Sequence, residues 1–478
     1  MSVFFLEASS RHYADCIAIE TPHECITYQK LNERVQQAAL SLTAQGIKQG
    51  SRVALLSHAS SEFIVVILAL FRLGTIAAPM NTRLSAQEWQ AQLTTLTPHA
   101  IWLSDEFKTA FISDGSIHVI EEIHCSSAQF GASLPEYPGE DTPATIIFTS
   151  GSSGEAKAIM HHLSAHMYSA KGSSENITLK PGEGWLLSLP LFHVGGLSII
   201  FRTLLSGARM VLPDTNLPYH EQLLQANFTH LSMVSTQLYR AFNNPLVCKK
   251  LQQLKAILLG GSAIPKALIS DSLKHRLPVF TSYGSTEMGS QITTTHQPTP
   301  SELETAGHIL PYRELKISEE GEICVKGKTL FQGIFRNGNF EKMADAEGWY
   351  HTHDLGRLDA ENRLIVLGRK DNQFISGGEN IQPEEIEEAL KNCPSVVEAL
   401  VVPMPHDEFG ERPLAFISLE ENAIIDEKQL KEDLRQKIAG YKIPDRILPM
   451  PESLFGKGIK PDRKKAKALA QTLNISKT

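Results

Sequence analysis

Tyr28–Leu56 reads YQKLNERVQQAALSLTAQGIKQGSRVALL, and two periods stand side by side in it. Leu31, Val35, Ala38 and Leu42 recur at helical spacing, and Gly46 stands where a glycine ends a helix. Val53 to Leu56 is then a short apolar run of the buried-strand kind. The alternation continues outward. Phe63 to Leu70 is the most apolar window, closed by Arg72 and Gly74; it is too short to span a bilayer and reads as a buried helix. Ser85-x-x-Glu88 is a capping box that opens another helix, and Ile101 to Leu103 is another strand. This βα order predicts an α/β fold of helix-covered sheets up to about residue 310.

Beyond that point the character changes. Ile317, Ile323 to Val325 and Leu364 to Leu367 read as short strands between turns, a small β subdomain. From about residue 370 the pattern is that of a small α+β unit. Pro383 fits the first turn of a helix through Ile386 and Leu390, Val396 to Val402 and Leu414 to Ser418 are strand-like, and Leu430, Leu434 and Ile438 mark a helix ended by Gly440. The expected division is a large N-terminal domain, 1–369, and a small mobile C-terminal domain, 370–478, with a hinge at Lys370–Asp371.

The 478 residues exceed one ordinary core. With 42 % hydrophobic and 21 % charged residues the composition is globular, and a net charge of −8 gives no electrostatic reason to expect nucleic acid as a partner. Cys16, Cys25, Cys125, Cys248, Cys324 and Cys393 include no CxxC pair and read as buried free thiols of a reducing compartment. Val3 to Leu6 is followed at once by Glu7, so the N-terminus has neither the basic start nor the apolar length of a signal peptide. A cytoplasmic protein with no integral membrane segment is expected; self-association into a homo-oligomer is left open.

Four stretches carry chemistry. Thr149-Ser150-Gly151-Ser152-Ser153-Gly154-Glu155-Ala156-Lys157 follows the apolar strand Thr145 to Phe148. Glycines let backbone N–H groups approach phosphate oxygens, and a lysine neutralises their charge. It is not a Walker A loop, which needs its lysine directly after a glycine; alone, it could equally be a surface loop. Tyr283-Gly284-Ser285-Thr286-Glu287 could stack a base, bind phosphate and hold Mg²⁺, or be an ordinary turn at a strand end. Tyr350-His351-Thr352-His353-Asp354-Leu355-Gly356 offers a carboxylate for ribose hydroxyls. Gly368-Arg369-Lys370-Asp371 leads to Ser376-Gly377-Gly378-Glu379-Asn380 and then Pro383-Glu384-Glu385-Ile386-Glu387.

In this order and spacing the four resemble the adenylate-forming superfamily of acyl-CoA ligases, peptide-synthetase adenylation domains and luciferases, over nearly the whole chain. The resemblance implies roles by position. Thr149, Ser150, Gly151, Ser152, Ser153, Gly154 and Lys157 would form the phosphate loop; Gly260, Gly261 and Ser262 would line the adenine site; Tyr283 and Gly284 would border the base. Thr286 would contact phosphate and Glu287 would hold Mg²⁺. Asp354 and Arg369 would bind ribose, Asp371 is at the hinge position, and Gly377 and Gly378 would border the coenzyme A channel. Lys460, in Gly458-Ile459-Lys460-Pro461-Asp462-Arg463, would be the mobile lysine of adenylation. ATP, Mg²⁺ and coenzyme A are the implied cofactor and co-substrates, and a carboxylic acid is the substrate. Because a carboxylate attacks a polyanion poorly, charge neutralisation and positioning would do most of the catalysis.

Leu189-Pro190-Leu191-Phe192-His193-Val194-Gly195-Gly196-Leu197 resembles the wall of the acyl pocket, with His193 as its gate and Gly261 at its edge. A satisfied core histidine is the plainer alternative. Arg202, in the apolar run that follows, would need an anionic partner if it faced the pocket, which a second substrate carboxylate would supply; otherwise it reaches the surface. Ser290 and Thr294 could add hydrogen bonds. Within the superfamily the pattern is most similar to the o-succinylbenzoate–CoA ligases of menaquinone synthesis. The departures are His353 and Ala158, where the family usually has glycine, and an ending in which Lys457 of Gly456-Lys457 competes with Lys460. Lys460 is preferred because an arginine follows three residues later. Arg463, Lys464, Lys465 and Lys467 read as a solvated helix face. Competing readings are another aryl- or fatty-acid–CoA ligase, an adenylation domain serving a carrier protein, and a non-catalytic nucleotide-binding relative.

Overall fold

In the computed structural model the stripe of Leu31, Val35, Ala38 and Leu42 is the buried side of the helix Tyr28–Ala44, capped by the Thr27 side chain accepting from the Lys30 amide. Gly46 follows its end with φ +82°, and Arg52–Leu56 is a strand. The structure describes residues 3–108, 117–120, 123, 133–150, 156–261, 264–336, 338–376, 379–406, 409–421, 423–455 and 461–473. The chain divides into two units, one of residues 1–263, 272–315 and 325–350, the other of 264–271, 316–324 and 351–478.

Two large sheets build the first unit. One runs, in spatial order, through Asn339–Glu341, Gly333–Arg336, Ala156–His162, Pro143–Ser150, Ile76–Pro79, Arg52–Leu56, Ala100–Leu103 and His118–Val119. It is parallel from Pro143–Ser150 onward and antiparallel before. The other runs through His308–Ile309, Ser290–Thr294, Val279–Ser285, Ala256–Leu259, His230–Met233, Gly184–Leu186, Arg209–Val211, Ile17–Glu20 and Cys25–Thr27. The helix Ser61–Arg72 buries every residue from Phe63 to Phe71, which is why that window is apolar all round. It shares one core with the helix Val194–Ser206 and with strand residues of both sheets, among them Val53, Ile147, Met210 and Leu258. Among the described residues no helix is long and apolar enough to cross a membrane.

A smaller sheet holds Arg313–Ile317, Glu322–Gly327, Tyr350–Leu358 and Leu364–Arg369. In the second unit Phe374–Ser376, Gly410–Leu419 and Val396–His406 form an antiparallel sheet, edged by Glu379–Ile381 and by Arg446–Pro449. Alternation along its strands loads both faces. Val401 and Ala415 join the core under Pro383–Lys391 and Glu427–Arg435, while Leu400, Val402 and Phe416 join the core under Arg463–Thr472.

Three sequence expectations need correction. The helix carrying Leu430 and Leu434 stops at Arg435, not at Gly440. The Leu434 carbonyl accepts from both Lys437 and Ile438 in a closing turn, and Ile438 reaches the core edge through it. Cys248, Cys324 and Cys393 are buried free thiols, but Cys16 is half-buried and Cys25 exposed; Cys125 lies outside the described residues. Arg463 is not on a solvated face: its guanidinium donates to Glu387 at 2.7 Å and to the Val401 carbonyl.

Candidate active site

The phosphate-loop stretch sits at the end of a hairpin. Pro143–Ser150 pairs antiparallel with Ala156–His162 in a register that sets Thr149 opposite Lys157 and Ser150 opposite Ala156. Gly151, Ser152, Ser153 and Gly154 lie outside the described residues, between these paired ends. Ala158, the departure from glycine, is a buried strand residue that pairs with Phe148 on one side and Phe335 on the other, so its methyl has a place.

Behind the hairpin, His161 joins the loop strand to the second motif. Its Nε2 donates to the Thr286 carbonyl at 2.7 Å, and burial lowers its pKa to about 4, so the ring is neutral. Val279–Ser285 ends in the 3₁₀ turn Thr286–Met288. Gly284 is required there: a Cβ would stand 2.1 Å from the Ser290 carbonyl oxygen of the neighbouring strand. Tyr350 donates its hydroxyl to Glu287 Oε1 at 3.4 Å, and Ser285 Oγ is buried without a partner among the described residues. Tyr283 is half-buried beside these groups in the chain. Gly260 ends the strand Ala256–Leu259, and Gly261 has φ +83°; Ser262 lies outside the described residues.

His193 is the N-cap residue of Val194–Ser206, and its side chain makes no cap bond. It remains accessible, yet desolvation and then Arg83 lower its pKa. The turn before it is tight, since a Cβ on Gly196 would meet the Pro190 carbonyl at 2.2 Å. Arg202, two turns along, does not reach the surface: it is 2 % exposed. Its guanidinium lies over the Trp185 ring, 5.0 Å from the centroid, and Nη2 donates to Gln291 Oε1 at 2.6 Å and to Ser290 Oγ at 3.4 Å. Nε is buried with no acceptor among the described residues, and no carboxylate among them pairs with this arginine. Burial, and after it Arg313, lower its pKa to about 9. Thr294 enters the cluster through Gln291, whose Nε2 donates to Thr294 Oγ1 at 2.6 Å. Gln291 is therefore the hub that sequence reading passed over, and nothing in the local pattern distinguishes it from its neighbours.

The ribose candidates meet in the second unit. Asp354 and Arg369 are register partners in the hairpin Tyr350–Leu358/Leu364–Arg369. Arg369 Nη1 donates to Asp354 Oδ1 at 3.0 Å and to the Thr352 carbonyl at 3.2 Å, while Nη2 donates to Asp371 at 3.3 Å. Burial lowers the arginine's pKa, but the two carboxylates outweigh it and raise the net value. His353 has φ +59°, the left-handed region, which accounts for glycine being usual there. Its amide is anchored on Glu322 Oε1 at 2.9 Å. Burial opposes ionisation of Glu322, yet the His353 amide and Lys370 hold its pKa low. Asp371 lies in the 3₁₀ turn Lys370–Asn372. Gly377, Gly378, Lys457 and Lys460 lie outside the described residues; the Phe455–Pro461 bridge closes the ends of the segment with the two lysines.

The family model for AMP-binding enzymes matches residues 6–335, and that for the AMP-binding enzyme C-terminal domain matches 385–454. The chain is 34 % identical to a 2-succinylbenzoate–CoA ligase of Escherichia coli K12, over 96 % of both chains. Its fold is similar to the o-succinylbenzoate–CoA synthetase of Bacillus subtilis in complex with the acyl-adenylate intermediate, with a TM-score of 0.88 and 29 % identity over 98 % of both chains. The same Bacillus enzyme with ATP and magnesium ion gives 0.82 and 28 %, over 94 % of this chain and 95 % of that one. The chain belongs to the AMP-binding enzymes of the adenylate-forming superfamily and is an AMP-forming acid–CoA ligase.

Proposed function

We propose that the acid is o-succinylbenzoate, converted with ATP and coenzyme A into o-succinylbenzoyl-CoA, AMP and diphosphate. The observation that carries this reading is the buried Arg202, which pairs with no carboxylate among the described residues, in a polar floor of Ser290, Gln291 and Thr294. An uncompensated guanidinium in a protein interior is costly, and a carboxylate anion satisfies both its charge and its spare N–H groups. A monocarboxylic acid spends its only carboxylate on adenylation and leaves Arg202 unanswered. The relatives named as 2-succinylbenzoate ligases point the same way.

In this reading Thr149 to Lys157 cradle the polyphosphate, Gly260, Gly261 and Tyr283 border the adenine, and Asp354 with Arg369 hold the ribose. Asp371 serves as the hinge between domains 1–369 and 370–478, Gly377 and Gly378 border the coenzyme A channel, and Lys460 acts in adenylation. Mg²⁺ would be held by Glu287, with the orphaned Ser285 hydroxyl beside it in the chain as a further oxygen ligand. When bound, the cation neutralises the diphosphate leaving group. One acid oxygen attacks the α-phosphorus as the bond to diphosphate breaks; the thiol sulfur then attacks the acyl carbon and AMP leaves. His193 excludes water from the mixed anhydride. The test is coenzyme A-dependent AMP release with o-succinylbenzoate beside benzoate and a fatty acid. Faster turnover of either monocarboxylate, by kcat/KM, sinks the assignment.

A further inference from the structure

The floor around Arg202 holds a second buried guanidinium to which the reaction above gives no task. Arg313 opens the strand Arg313–Ile317 and is 6 % exposed. Its Nη2 donates to the Ser169 carbonyl at a long 3.5 Å. Its Nε and Nη1 are buried and find no acceptor among the described residues, and no carboxylate among them pairs with it.

The helix Leu163–Asn176 relates the two arginines. Ser169, Gly172 and Ser173 lie on one of its faces, because positions three and four apart are neighbours. Arg313 lies against the first two: a Cβ built on Gly172 would stand 3.4 Å from its Nη2. Ser173 donates at 2.8 Å to Gln291 Oε1, the same oxygen that accepts from Arg202. Ser169 Oγ donates to the Gly289 carbonyl, one residue before Ser290, the other Arg202 contact. The two guanidinium groups thus reach the same face of one helix, Arg313 at Ser169 and Gly172 and Arg202 at Ser173 through Gln291. Two like charges with spare N–H groups in one interior region form a receptor for an anion.

We propose that Arg313 is a second anion-binding residue of the acyl pocket, and that it forms with Arg202 a paired-guanidinium site for the substrate carboxylate that is not adenylated. This rests on the reading that the acid is dicarboxylic. The pair makes the second carboxylate a condition of productive binding, since a monocarboxylate leaves two buried cations unanswered.

The test measures acid-dependent diphosphate release at saturating ATP for the wild type, Arg202→Gln, Arg313→Gln, Arg313→Lys and the double variant Arg202→Gln/Arg313→Gln. The acids are o-succinylbenzoate and the monomethyl ester that can still be adenylated. Arg313→Gln is expected to raise KM for o-succinylbenzoate about tenfold or more. KM for ATP should stay within about twofold and use of the ester should change little. The double variant should lose less than the product of the single losses, as for two groups sharing one ligand. An unchanged KM for o-succinylbenzoate overturns the proposal, as does an equal loss for acid, ester and ATP. If Arg313→Gln does not fold, Arg313→Lys decides: a severalfold rise in KM for the diacid alone supports the pair, and no rise refutes it. A wild type that prefers the ester to the diacid refutes the dicarboxylate reading itself. A wild type that prefers the diacid, with Arg313→Gln indistinguishable from it, refutes only the part given to Arg313.

Discussion

Replacing Arg202 by glutamine should weaken acid recognition and stabilise the protein. Its pKa falls from the ordinary arginine value to about 9, first through burial and then through Arg313. At about 1.36 kcal/mol per tenfold change in protonation, holding this cation in the fold costs on the order of 5 kcal/mol. The charged hydrogen bond to Gln291 returns about 1.5–3 kcal/mol. The sign follows from proton linkage. Below pH 9 both folded and unfolded chains carry the proton and the penalty is complete; above pH 9 the unfolded chain, with the ordinary arginine value, binds more protons, so stability rises with pH. Near pH 7.5 the neutral variant should therefore be more stable by roughly 2–4 kcal/mol, seen as a rise in Tm without ligand. The same substitution removes a charged contact to the substrate carboxylate, about 1.5–3 kcal/mol, or roughly a 10- to 150-fold higher KM for a dicarboxylic acid. Initial rates of diphosphate release against acid concentration, at saturating ATP, read the first quantity, and scanning calorimetry reads the second. A fall in Tm with KM rising alike for acid and ATP would show that Arg202 is a structural strut and refute the reasoning.

Other expectations follow from the proposed roles. Lys460→Ala should slow acyl-adenylate formation by roughly 10² or more while leaving thioester formation from synthetic adenylate near wild type. If both half-reactions fall together, Lys460 is not the mobile lysine and Lys457→Ala is the variant to measure. Glu287→Gln should impair exchange of labelled diphosphate into ATP at limiting Mg²⁺; unchanged exchange removes Glu287 from the metal site. Burial lowers the pKa of His161 to about 4, so below an unfolded value near 6.5 the unfolded chain takes up the proton first. Stability should decline as the pH falls from 6.5 towards 4, by up to about 3 kcal/mol from this residue. His161→Asn should flatten that acid limb in calorimetric melts, and an identical slope in the variant would show that the proton uptake lies elsewhere.

Much of the nucleotide site is legible in the chain because its parts are contiguous. Thr149 to Lys157 and Tyr283 to Glu287 are each one short run, and Asp354 and Arg369, 15 residues apart, are brought together by the register of a single hairpin. The glycine-position departure at His353 is visible in the same way, and its φ of +59° supplies the reason.

The acyl floor is different. Sequence alone singled out Arg202 as a cation in an apolar helix, together with Ser290 and Thr294, because charge inside a hydrophobic stripe is conspicuous. It left open whether that arginine reaches the surface. Only the packing of Val194–Ser206 against Leu163–Asn176 and the strand Ser290–Thr294 decided that it does not. Gln291, which bonds Arg202 and Thr294, and Arg313, which enters from a strand more than a hundred residues away, carry no local signal. A polar residue's role there is set by the partners that folding leaves it, and those belong to distant segments. Hydrophobic period determines the α/β fold, and the resemblance of four short motifs implies the nucleotide roles; which buried cations remain without a carboxylate among the described residues is decided only when the tertiary structure closes around them.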